Sequence, residues 1–148
     1  TYDTYAIGLS DIAPAIDSDQ LGIRLGDSSG YDSGASDYTH TYNLIGGGSG
    51  SYSASGSTTA SYIQINYQTG LNAGEGMGAM LYLSRPGDGT MRPAVHGTQI
   101  TISHSSLQTG GLIMGMRNAV IAVDRVQLLS LSGNILRGRM TVWGISHG

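Results

Sequence analysis

Apolar residues recur along this chain at every second position in short runs, the pattern of a strand with one buried face. Residues 5–9 form the first run, and residues 20–25 put Leu21, Ile23 and Leu25 on one side. Residues 38–45 alternate aromatic or apolar positions with Thr and Asn, and residues 62–67 place Ile63, Ile65 and Tyr67 together. Runs at 79–83, 99–102, 112–116, 119–123 and 126–131 follow, and 139–145 is the last. The pattern predicts about ten short strands, and such spacing with turn signals between them means a sandwich or a barrel. Helical candidates are poor: residues 11–20, with Pro14 and several Asp, have room for a single turn. The apolar stretch 112–131 is rich in Val and Ile and broken by Gly115, which favours two or three strands over a helix.

The segments between the runs are read from their turn chemistry. Gly26 to Asp37 is a Gly- and Asp-rich loop, and Pro86-Gly87-Asp88-Gly89 is a turn. Gly46 to Ala60, GGGSGSYSASGSTTA, has the composition of a flexible linker. Lying between two strong strands, it is expected to be a long, mobile loop inside a single domain, residues 1–148. Ser132-Gly133-Asn134 is expected to turn a final hairpin through positive φ. The strand after it carries apolar residues on both faces, which predicts a place at a sheet centre or under a partner subunit.

Composition sharpens this picture. The chain carries 24 Gly, against the roughly ten that average usage gives. Charged residues are only 11%, there is no Lys, and the seven basic residues are all Arg. Phe is absent, so the aromatic load falls on nine Tyr and Trp143. Tyr and Arg suit packed, partly wet contacts between proteins, so some of this surface is expected to be covered by neighbouring subunits. A net charge of −3 argues against binding nucleic acid. No stretch reaches the length of a membrane span, and no basic-then-apolar leader is expected. Cysteine is absent, which removes disulfides, thiolate metal sites and a Cys nucleophile.

Candidate chemistry is thin. His40, His96, His104 and His147 lack metal-ligand spacing, and His40 and His104 read as polar strand positions facing water or a neighbour. No nucleophile elbow is present, and Gly46-Gly47-Gly48 lacks the lysine and the helix of a phosphate cradle. Glu75 is the only Glu, so a polysaccharide hydrolase would lack an evident carboxylate pair. Asp27, Asp32 and Asp37 recur every five residues in one loop, a spacing that raises calcium without matching an EF-hand. The expectation is a protein that is not an enzyme and needs no cofactor or metal.

Two stretches carry a resemblance. Residues 128–145, LLSLSGNILRGRMTVWGI, look like the ending of many tailed-bacteriophage structural proteins, where a strand, an S-G-N turn and a strand closing on aromatic-Gly-Ile finish the domain. Residues 21–38, LGIRLGDSSGYDSGASDY, are similar to their strand, Gly- and Asp-rich loop and Tyr-led strand. The family often has Tyr where this chain has Trp143. The resemblance implies an all-β, antiparallel, jelly-roll-like β-sandwich in a phage virion, and it brings no catalytic residues. The function it implies first is a capsid decoration or cement protein, a symmetric oligomer, most simply a trimer, that binds the major capsid protein and stabilises the shell. The alternative is a tail- or head-fibre receptor-binding domain recognising host carbohydrate. There Tyr31, Tyr52 and Trp143 would stack on sugar rings, and residues 1–10 would add as a strand to a partner.

Overall fold

The computed structural model describes residues 2–47 and 50–147. Its regular elements there are all strands: β1 Thr4–Pro14, β2 Leu21–Asp27, β3 Gly30–Tyr31, β4 Tyr38–Gly46, β5 Ser51–Ala60, β6 Ile63–Gln64, β7 Gly76–Ser84, β8 Ala94–Ile102, β9 Gln108–Arg117, β10 Arg125–Ser130 and β11 Ile135–Ile145. Seven of them form one sheet in the order β11-β1-β7-β8-β9-β4-β5, and a second sheet joins β10, β2 and β3, with β6 also on β2. All of these pairings are antiparallel. The two sheets pack face to face as the jelly-roll-like β-sandwich expected.

The alternation along each strand decides what the sandwich encloses. Ile7 and Leu9 of β1, Leu81 and Leu83 of β7, Val95 of β8, Ile113 of β9 and Tyr38, Tyr42 and Leu44 of β4 point inward from the large sheet. Leu21, Ile23 and Leu25 of β2 and Ile63 of β6 meet them from the small one, fully buried. A side chain of this size contributes about 1.5–3 kcal/mol when removed from water. Tyr38 is the largest fully buried residue and also links the two layers. Its hydroxyl accepts the Leu25 amide at 2.8 Å and donates to the Leu25 carbonyl at 2.9 Å. Burial pushes its pKa up to about 12, so the hydroxyl keeps its proton and its donor role.

Several expectations are corrected. Residues 51–60 are not a loop: β5 pairs with β4 from Gly46↔Ser51 to Tyr38↔Ala60, at the edge of the large sheet. As an edge strand it is held by backbone hydrogen bonds and exposes nearly every side chain, so it has no apolar period to read. Gly48 and Ser49, inside the same expected loop, lie outside the described residues. Residues 119–123 are not a strand but a crossing between the sheets, anchored by Val123 N–H on the Pro86 carbonyl at 2.6 Å. In residues 62–67 only Ile63–Gln64 form a strand, and Tyr67 turns outward while Ile63 and Ile65 are buried. The final pair is not a hairpin, because β10 belongs to the small sheet and β11 to the large one. Ser132-Gly133-Asn134 therefore carries the chain across the sandwich, and positive φ falls at Gly138 instead. β11 is no central strand but the outer edge, with β1 as its sole partner in that sheet. β1 is interior, between β11 and β7, so its residues are already paired on both sides and are not free to be donated.

Tyr38→Phe keeps the ring but strips the buried Leu25 amide of its acceptor. We expect a loss of about 1–3 kcal/mol in urea unfolding with an unchanged m-value. An unaltered midpoint would mean that the hydroxyl bridge contributes nothing to stability.

Candidate functional site

The outer faces of the two sheets differ in chemistry. On β2 and β10 of the small sheet, Arg24 and Arg125 project outward, Arg24 onto the Ser61 carbonyl at 2.9 Å and Arg125 onto Asp124 at 2.6 Å. The outward positions of the large sheet follow from its register. Ala6 stands beside Trp143 and Tyr82, Tyr82 beside His96, His96 beside Met114 and Met114 beside Thr41. One row along, Gly8, Met80, Thr98, Leu112 and Asn43 lie side by side. The next row holds Gly78, Ile100, Gly110, Ile45 and Tyr52. These three rows hold no Asp, Glu or Arg from β1 across to β5; the charges stand at the margin, Asp11 at the bulge of β1 paired with Arg137, and Arg139 on β11.

This face is apolar as well as uncharged. Met80, Ile100, Leu112 and Met114 are 40–52% exposed at its centre. Tyr82 and His96 stack with ring centroids 5.7 Å apart. With Met80, Thr98, Leu112 and Met114 they line a groove of about 420 Å³. Trp143 lies flat over Gly8: a Cβ at Gly8 would stand 2.7 Å from the indole, so only glycine leaves room for it. A sheet face open to water normally alternates into polar and charged residues. Seven strands spaced about 4.8 Å and nine residues long make a plane of about 30 Å by 30 Å, roughly 900 Å².

The three residues expected to act in binding do not form one site. Trp143 on β11 and Tyr52 on β5 occupy opposite edges of the large sheet, about 29 Å apart at the usual strand spacing. Both are exposed, 49% and 66%, and Tyr52 donates its hydroxyl hydrogen to Asn43 Oδ1 at 3.1 Å. Tyr31 sits on the small sheet, paired through β3 with Gly26. What the single-residue reading missed was the row of Met, Tyr, Ile and Leu on β7, β8 and β9. Its signal was present: those strands are apolar at both odd and even positions, as in Met80-Leu81-Tyr82-Leu83 and Leu112-Ile113-Met114.

The titratable groups serve the fold. Asp32 and Asp37 both turn onto Arg117, at 2.7 and 3.2 Å, and the guanidinium lies over the Tyr38 ring at 5.9 Å. Asp27 accepts from the Ser29 amide and hydroxyl. Asp32 and Asp37 thus share one arginine while Asp27 caps its own turn, and among the described residues no group of three or more His, Cys, Asp or Glu is placed to hold a metal. Glu75 is buried and accepts the Asn72 amide at 2.9 Å, closing its own turn. His40 does not face water: it is buried, and it stacks on Tyr62 at 6.1 Å. Burial holds its pKa below the usual histidine value, opposed by a backbone contact at Tyr62. His104 lies in a turn, not a strand. No protein-family model, no curated protein and no solved structure matches the chain.

Asp19 supplies a pH test. Burial by itself would raise its pKa, but hydrogen bonds from the Ser130 hydroxyl and from the Ser132 and Gln20 amides outweigh it and hold the value below 3.8. The carboxylate therefore stabilises the fold above the unfolded pKa, and that stabilisation is lost as pH falls through the lower folded value. Asp19→Asn should be less stable than the parent at neutral pH and should approach it below about pH 4. A constant gap across the acid limb would remove the charge from the argument.

Proposed function

We propose that this chain is a structural protein of a tailed-phage virion that works by assembly, most simply a capsid decoration protein binding the shell, and not an enzyme. The observation that carries the reading is the outer face of the seven-stranded sheet, whose central rows are apolar and free of charge from β1 to β5. A surface of that area and composition belongs under another protein, because exposed apolar patches on isolated proteins are normally smaller. The virion assignment rests on the resemblance of residues 21–38 and 128–145 to phage structural proteins. A decoration protein needs what this fold offers: a small body, strand ends tied by hydrogen bonds, and one broad face suited to contact between protein chains. Bound copies stabilise the shell by mass action.

Carbohydrate recognition is the weaker reading, since the three aromatic candidates are dispersed over two sheets and opposite edges. Each would have to act alone, and stacking on a single ring gives little affinity.

The test is the copy number of this chain in purified particles, by quantitative mass spectrometry against the major capsid protein. A ratio of the same order as the shell protein is the expected result. A ratio far below it would shift the chain to a tail or head fibre, and absence from particles would end the virion reading.

A further inference from the structure

We infer that the outer face of the seven-stranded sheet is the contact between copies of this chain, so that the protein is a homo-oligomer before it meets any other partner. The inference deepens the assembly reading by naming the first occupant of that face, and it rests on that reading only for the claim that the face is covered.

Charge selects the occupant. A chain of net charge −3 repels its own copies. In a two-fold contact the same patch meets itself, so a patch carrying charge of one sign would repel its copy. The central rows of the large sheet avoid this: they carry no carboxylate and no guanidinium from β1 to β5, Asp11 at the bulge of β1 is neutralised by Arg137 at the margin, and Arg24, Asp124 and Arg125 lie on the small-sheet side. A foreign partner is more often selected by complementary charge, and this face has none to offer.

Area and composition agree. The face measures roughly 900 Å², and a stable interface takes about 800 Å² from each partner. Its centre mixes Met80, Tyr82, Leu112 and Met114 with His96 and Thr98, and exposed Ile45, Tyr52 and Trp143 carry the apolar surface out toward both edges. Identical copies are also made together in equal number, so a face that is costly to expose is covered soon after folding.

The experiment is sedimentation velocity of the whole chain over a wide concentration range, with Leu112→Asp and Val142→Asp beside the parent. Leu112 is 52% exposed on the outer face, so its change leaves the core intact; Val142, 44% exposed, borders Ile7 and Leu83, and thermal unfolding of each variant shows that it still folds. Val142 lies on the other side of β11, at the open end of the sandwich with Tyr5 and Val126. The parent is expected to sediment as a closed dimer, Val142→Asp like the parent, and Leu112→Asp as a monomer, with association weakened about 30-fold or more. A parent that stays monomeric at every concentration overturns the inference. So does an oligomer that survives Leu112→Asp but is lost with Val142→Asp, which would move the contact to the sheet edge. A monomer nonetheless found in particles at shell-like copy number would sink self-association and leave the virion reading standing. An oligomer absent from particles would do the reverse.

Discussion

A strand has two faces, and a two-layer sandwich buries one of them. Everything else in this molecule follows from how that limit is met. The inward rows of the large sheet, from Ile7 and Leu9 through Leu81, Val95 and Ile113 to Tyr42, form one continuous core with Leu21, Ile23 and Leu25. The small sheet is only β10, β2 and the short β3 and β6, so it covers the inner side of seven strands and can do nothing for their outer side. In a protein living alone, that outer side would be polar and charged. Here it is neither.

The loops are held by a few charge-assisted bonds instead of by apolar contacts. Arg117 gathers Asp32 and Asp37 at one end, and Asp19 gathers Ser130 and Ser132 near the other. Such bonds are roughly twice as strong as neutral ones, which suits a chain with few charges to place. With Phe absent, the buried aromatic positions fall to Tyr38 and Tyr42, and Tyr38 turns the resulting polar atom into a bridge between layers. Further charge sits in the connecting segments, as at Arg85 and Asp88, and at the β1–β11 edge, where Arg137 holds Asp11.

Much of the fold was legible because period two is a strong signal wherever one face is buried, as at Leu21, Ile23 and Leu25. It failed where that condition failed. β5 exposes both faces, so Ser51–Ala60 looked like a linker although its backbone is fully engaged as a strand. Residues 119–123 are apolar because they cross over the end of the core, where Val123 packs, not because they pair. The aromatic candidates were chosen by residue type, which says nothing of where strands lie in a sheet. Tyr31, Tyr52 and Trp143 are all exposed, yet only the strand order reveals that they are far apart. The charge-free face needed the same knowledge, because its residues come from six separate stretches of chain.

The irregularity where β1 meets β11 has a bearing on that face. The pairing shifts between Ser10 and Ala13, Asp11 takes φ 50°, and Gly138 takes φ 127°. A Cβ at Gly138 would stand 2.5 Å from Ile12 Cδ1 and 2.8 Å from the Asp11 carbonyl. Arg137 next to it reaches Asp11 at 3.2 Å and the carbonyls of Leu71 and Glu75 at 3.0 and 2.8 Å. A regular ladder of β11 on β1 could slide by one residue with little change in its backbone bonds. Sliding would exchange the two sides of the strand, sending Trp143 inward and Val142 out. The kink and the arginine together work as a detent that gives the last strand a single seating, and with it a single identity to each side of the sheet.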